Sequence, residues 1–253
     1  MGGNNMPNTL APAERLIVAA DYSPEKDGRA GVHKKVMNLA DQLAGTGVLI
    51  KVNSSLRALG YDLIDELHDL DLGVFADLKL IDIPTTMGID AELLAETKPD
   101  IVTAMCCAGV RGLHDLQIKL PETEILGVTV LTSLGEEECQ AIFGCSTKAG
   151  VLRFARFAKA AGLGGLILSP KENEVVMSRK FEMALSLNNP GIRPEWSLVK
   201  GDDQSRVMTA RAAIAVGAKR IVIGRPITQA DDPLDAVQRT IEEIKQGLAD
   251  RGS

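Results

Sequence analysis

The stretch ADLKLIDIPTT, residues 76–86, places Asp77, Lys79 and Asp82 within six positions, directly after an apolar run. Charges at a buried strand end are costly to desolvate, and losing one partner strands the other. Lys51 and Asn53 end a second apolar run, and Asp21 ends a third. Side chains alternate along a strand, so Asp77 and Lys79 share one face and Leu78 and Leu80 the other. Lys51 and Asn53 share a face by the same rule. If the leucines pack on helices, the charges converge. Alternating acids and bases push one another toward their ionised forms. A charged lysine held this way can give a proton to a forming carbanion. The bland alternative is a salt bridge that caps a core. A Schiff-base role would need a neutral lysine, and flanking carboxylates disfavour that form.

The elements that must position these residues recur along the whole chain. Apolar or β-branched runs read RLIVAAD (15–21), GVLIKVN (47–53), LGVFADLKL (72–80), DIVTAMC (100–106), EILGVTVL (124–131), GGLILSP (164–170), FEMALSLN (181–188) and RIVIGRPI (220–227). Helical spacing lies between most of them, as in Val32, Val36, Leu39, Ala40 and Leu43. Near-continuous apolar strands alternating with amphipathic helices predict a parallel sheet covered by helices. Eight such units fit one closed (β/α)8 barrel, the TIM-barrel α/β class, over residues 15–250. Residues 1–14 then form a flexible N-terminal segment. An open doubly wound sheet is the alternative. The seventh unit is the weakest. Barrel sites are built at the C-terminal ends of the strands and the loops after them, where the charges fall, with Ser133 after the fifth run.

A second polar signal closes the chain. In VIGRPIT (222–228), Gly224 allows close backbone approach to a ligand, and Arg225 offers a bidentate phosphate contact. Alone this reads equally as a surface turn. With Pro190, Gly191, Ile192 and Arg193 on the preceding loop it reads as a phosphate site, since barrels bind phosphate after strands seven and eight. Residues 188–204, rich in Pro, Gly and charge, form a long loop expected to be functional.

Bulk properties narrow the class. The chain has 253 residues, 3% aromatics and a formal net charge of −6. The core must therefore be aliphatic, and binding to nucleic acid by charge is disfavoured. No basic-then-apolar leader and no membrane-length apolar run appears, so a cytoplasmic enzyme without membrane association is expected. Cys106, Cys107, Cys139 and Cys145 lack metal-ligand spacing and read as buried free thiols. His33, His68 and His114 fall on helices or loops and receive no catalytic role.

Taken together, Lys51, Asp77-x-Lys79-x-x-Asp82 and Ile83-Pro84-x-Thr86 closely resemble the signature of the orotidine 5′-phosphate decarboxylase family. GVTVLTS (127–133), PGIRP (190–194), DDQSRVMT (202–209) and VIGRPIT follow in that family's order, so the likeness runs from about residue 15 to 245. It implies decarboxylation of orotidine 5′-phosphate to UMP in pyrimidine biosynthesis, with no metal or cofactor, by a homodimer with shared sites. It implies that Lys79 protonates C6, that Asp77 sits near the substrate carboxylate, and that Lys51 and Asp82 complete the charged network. Asp82 and Thr86 would reach into the partner's site. Asp21 would hold the ribose and Ser133 the pyrimidine amide. Gln204, Arg225 and the Gly224 backbone would hold the phosphate, with 188–204 as a lid.

Two segments depart from the family pattern. VTAMCCAG (102–109) has Met105 where His is common, and Asn188-Asn189 stands where Val-Thr is usual. The Asp-x-Lys-x-x-Asp core is shared with magnesium-dependent sugar-phosphate decarboxylases and synthases, though Ile83-Pro84-x-Thr86 argues against them. A catalytically silent nucleotide-binding protein is the remaining alternative.

Overall fold

The structure, a computed structural model, describes residues 10–25, 28–179, 184–198 and 208–251. Eight parallel strands follow one another around a closed barrel: β1 (Leu16–Ala19), β2 (Leu49–Val52), β3 (Gly73–Leu80), β4 (Ile101–Met105), β5 (Glu124–Val128), β6 (Gly165–Ile167), β7 (Ser186–Pro190) and β8 (Arg220–Ile223). Pairing of Leu16 with Ile221 and of Val18 with Ile223 closes the ring, which removes the open-sheet alternative. The described helices are α1 (Gly28–Leu43), α2 (Ser54–Leu59), α3 (Asp62–His68), α4 (Pro84–Thr97), α5 (Val110–Lys119), α6 (Glu136–Phe143), α7 (Thr147–Ala161), α8 (Asn173–Met177), α9 (Ala210–Ala215), α10 (Arg225–Thr228) and α11 (Pro233–Arg251). Among the described residues no helix is long and apolar enough to cross a membrane.

Alternation along the strands sorts the core into two clusters. Outward residues such as Val18, Ile50, Val74, Val102 and Ile125 pack with the helices. Inward residues Ile17, Leu49, Phe75, Ile101, Leu126, Ile167 and Val222 form a separate apolar plug. Below the plug lies a polar floor. Glu124 accepts hydrogen bonds from Lys219 Nζ at 2.9 and 3.0 Å, from Arg220 Nη1 at 2.8 Å and from Ser186 Oγ at 3.0 Å. Burial pushes the Glu124 carboxyl up, but the Arg220 and Lys219 cations outweigh it and hold it below the ordinary glutamate value. The floor thus closes the N-terminal end of the barrel and leaves the C-terminal end for a site.

β7 corrects the expected position. The strand spans Ser186–Pro190 rather than 181–188, and 180–183 lie outside the described residues. Its two asparagines escaped a hydropathy reading because both are buried: Asn189 bonds at both ends of its amide, and Asn188 Nδ2 donates to the Leu166 carbonyl at 3.2 Å. Residues 188–190 are therefore strand, and the loop begins at Gly191. The cysteines also differ from expectation. Cys106 and Cys139 are buried, but Cys107 is exposed, because the turn Cys106–Ala108 sends adjacent side chains to opposite sides. Burial pushes the Cys106 thiol up to about 12, which leaves it inert at neutral pH.

The shortest strand sets the tightest approach. A β-carbon at Gly165 would lie 1.9 Å from Ser186 Oγ and 2.6 Å from the Ser186 carbonyl oxygen, and the latter is backbone that cannot swing aside. Gly165→Ala is therefore expected to cost about 1–3 kcal/mol. Thermal unfolding followed by circular dichroism should place its midpoint roughly 2–10 °C below the wild type.

Candidate active site

The charged array stands on the apolar plug, at the C-terminal mouth of the barrel. Lys51 from β2 and Asp77 from β3 occupy the inward positions directly above Leu49 and Phe75. Their side chains are only 8% and 10% exposed. Lys79 Nζ donates to both Asp77 oxygens, at 2.8 and 2.7 Å. Lys51 Nζ lies 3.3 Å from Asp77 Oδ2, and donates to Asp21 at 2.7 and 3.0 Å. Burial pushes the Asp77 carboxyl up. The ammonium groups of Lys51 and Lys79, with the hydrogen bonds from Lys79 and Thr103, outweigh burial and hold it below its ordinary 3.8. Asp77 is an anion at neutral pH, and each lysine has an acid to face.

The local backbone that delivers Lys79 is irregular. β3 loses register with β4 between Ala76 and Leu80, and Lys79 has φ +51°, a left-handed conformation that side chains rarely adopt. The bulge frees two backbone groups, and side chains satisfy both. The Lys79 N–H donates to Thr103 Oγ1 at 3.0 Å, and Arg57 Nη2 donates to the Leu78 carbonyl at 2.7 Å. Thr103 Oγ1 in turn donates to Asp77 Oδ1 at 2.9 Å, so one hydroxyl holds both the strained backbone and the carboxylate. The period-two reading put Lys79 on the correct face, yet the bulge is what brings its ammonium back onto Asp77. Strain of this kind, held by surrounding bonds, is a frequent mark of functional sites.

Above these groups opens a cavity of about 330 Å³, within the range of small-molecule sites. Asp21, Lys51, Asp77 and Lys79 line its charged wall, and Phe75, Val128, Val130 and Ile167 its apolar wall. Pro190, Gly191 and Gly224, from the ends of β7 and β8, also line it. Gly191 has φ +77°, a turn geometry natural for glycine.

The other expected residues are dispersed. Asp82 is exposed, does not line this cavity, and accepts a hydrogen bond from the Ile83 N–H at 2.7 Å. Thr86 is half-buried in the first turn of α4. Ser133 is exposed on the turn after β5, and its neighbour Thr132 lines the cavity instead. Arg193 is half-buried, and its N–H donates to the Met208 carbonyl at 3.1 Å. Arg225 is exposed at the start of α10. Gln204 and residues 199–204 of the expected lid lie outside the described residues. Met105 packs against the apolar plug. His33, His68 and His114 pair with Glu66, Asp100 and the Ala161 carbonyl, and none lines the cavity. Thr103 was missed. A lone hydroxyl in the run IVTAM, two positions from inward Ile101, is the signal that marks it.

Comparison with known proteins adds independent findings. The family described as orotidine 5′-phosphate decarboxylase / HUMPS matches residues 14–240. A protein of Pseudomonas fluorescens (strain SBW25) named orotidine 5′-phosphate decarboxylase is 36% identical over 236 residues, covering 90% of this chain and 97% of that one. One of the same name from Syntrophus aciditrophicus is 35% identical over 249 residues, covering 94% and 96%. Among solved structures, orotidine 5′-phosphate decarboxylase from Lactobacillus acidophilus superposes with a TM-score of 0.74 at 27% identity, covering 91% of this chain and 99% of that one.

The depressed Asp77 carboxyl links stability to pH. Its contribution is fully present above the unfolded value of about 3.8 and is lost as pH falls from there through the lower folded value. Asp77→Asn should therefore destabilise the protein by about 1–3 kcal/mol at pH 7. Urea unfolding should show that gap narrowing once the pH drops below about 3.8.

Proposed function

Because the chain belongs to the orotidine 5′-phosphate decarboxylase / HUMPS family, we propose that it converts orotidine 5′-phosphate to UMP and carbon dioxide within pyrimidine biosynthesis. The observation that carries this reading is the Asp77 carboxylate held by Lys79 and Lys51 on the wall of the cavity. A substrate carboxylate brought beside Asp77 meets a fixed negative charge, which raises the energy of the bound acid. Loss of carbon dioxide relieves that repulsion and leaves an electron pair on C6. Lys79 Nζ carries the proton for that carbon, and Lys51 stays ion-paired between Asp21 and Asp77. The apolar wall receives the pyrimidine, Asp21 the ribose, and Thr132 or Ser133 the ring amide. The phosphate goes to the side of Gly191 and Gly224, with Arg225, Arg193 and Gln204 as its cationic and amide partners. Closure of the loop after β7 would exclude water and spend phosphate binding on the transition state.

Asp82 fits a role across a dimer interface. It lies outside its own chain's cavity, between Ile81 and Ile83, which are 56% and 65% exposed. Ile89 and Leu93, one turn apart on α4, add further exposed apolar surface. Large exposed aliphatic residues gathered in one region are typical of a contact face. A two-fold dimer through this face would carry Asp82 and Thr86 toward the partner's cavity. The chain would act as a cytoplasmic enzyme.

The reading is tested by following the ultraviolet absorbance of orotidine 5′-phosphate with protein treated with EDTA. The absorbance should change at an undiminished rate; an unchanged trace would overturn the proposal. A rate abolished by EDTA and directed at a sugar phosphate would favour the magnesium-dependent branch of the family. Lys79→Ala should lower turnover by about 100-fold or more, while UMP titration shows affinity nearly unaltered. Arg225→Ala should weaken UMP binding by about 1.5–3 kcal/mol, the range for a charged hydrogen bond. Mixing the Lys79→Ala and Asp82→Ala proteins tests the shared site. Random reassortment makes half the dimers mixed, each with one intact site, so activity should recover to about a quarter of wild type. No recovery, with mixed dimers demonstrated by mass, would place Asp82 in its own chain's site.

A further inference from the structure

The cavity's phosphate side has a support that the charged array does not explain. Asn189 of β7 and Asn173, the first residue of α8, are both fully buried. Their amides bond reciprocally: Asn173 Nδ2 donates to Asn189 Oδ1 at 2.7 Å, and Asn189 Nδ2 donates to Asn173 Oδ1 at 2.9 Å. Asn189 Nδ2 also donates to the Leu168 carbonyl at 3.0 Å. The next two residues, Pro190 and Gly191, line the cavity. Leu168 lies one residue beyond the end of β6, whose last residue Ile167 also lines the cavity. One amide pair therefore ties the end of β7 both to the end of β6 and to α8. Pro190 pairs with Val222 across to β8, two residues before Gly224. The tether thus reaches the glycines on either side of the expected phosphate position.

We infer that the Asn173–Asn189 amide pair positions Pro190 and Gly191 for the phosphate of the substrate, resting on the decarboxylase reading above. The reciprocal bonds hold the two amides together and the Leu168 carbonyl fixes which way round they sit, because flipping either amide strands a buried donor and acceptor. Neither asparagine touches the cavity, so both are positioning residues. The effect is local to the phosphate end, since Lys51, Asp77, Lys79 and Thr103 hang from β2, β3 and β4. It predicts a substrate-dependent defect that a general loss of stability would not give.

The experiment compares Asn189→Ala and Asn173→Ser with wild type on orotidine 5′-phosphate and on the phosphate-free nucleoside orotidine, with thermal unfolding measured alongside. The inference expects kcat/KM on the phosphorylated substrate to fall about tenfold or more, mainly through KM, and on orotidine to change less than about twofold. The double variant should be no worse than the poorer single, as for residues that act as one unit. Equal losses on both substrates would mean a merely structural role, and no loss on either would mean no role; both overturn the inference. If Asn189→Ala does not fold, Asn173→Ser decides by the same comparison, because it leaves Asn189 its bond to Leu168. A wild-type protein that fails to decarboxylate either substrate overturns the parent reading instead, and is recognised before any variant is compared.

Discussion

One carboxylate, that of Asp77, sits between two ammonium groups at the base of the barrel mouth, and much of the local structure exists to keep it there. Desolvation opposes its charge, and Lys51 and Lys79 together overcome that opposition. A buried ion pair is seldom the most stable filling for such a space, since apolar side chains of similar size often do as well or better. Its presence above a well-packed aliphatic plug therefore points to chemistry rather than stability. The bulge in β3, the strained backbone of Lys79 and the hydroxyl of Thr103 all make sense as the means of holding a lysine and a carboxylate at 2.7 Å.

The barrel keeps two charged clusters apart. The floor of Glu124, Lys219 and Arg220 neutralises itself at the N-terminal end, and the array of Asp21, Lys51, Asp77 and Lys79 faces the cavity at the other. Between them lie aliphatic and aromatic side chains, with the buried amide of Asn188 beside the floor. Electrostatic interactions gain strength in such a poorly polarisable setting, provided the groups are already oriented. The same layering gives the substrate's two ends different walls: charge and apolar surface toward β2, β3 and β5, and glycine backbone at β7 and β8.

Much of this was legible in the residues, for physical reasons. Strands buried on both faces announce themselves as aliphatic runs, and period-two alternation placed Asp77, Lys79 and Lys51 in the mouth because a side chain's face follows from backbone geometry. β7 was misplaced because Asn189 and Pro190 read as loop, whereas a buried amide bonded at both ends, like that of Asn189, is an acceptable strand residue. Thr103 was overlooked because its spacing from Ile101 marks an inward hydroxyl but does not say what that hydroxyl bonds until the bulge it supports is seen. Asp82 could not be joined to the array within one chain.

The central claim is that Asp77 is an anion pinned by two lysines, and its side-chain carboxyl can be observed directly by carbon-13 NMR across a pH titration of the free protein. The account predicts a carboxylate signal that persists below pH 3.8 and moves upward in pH when Lys79 is replaced by alanine. A carboxyl that titrates at or above 3.8 in the intact protein would contradict it.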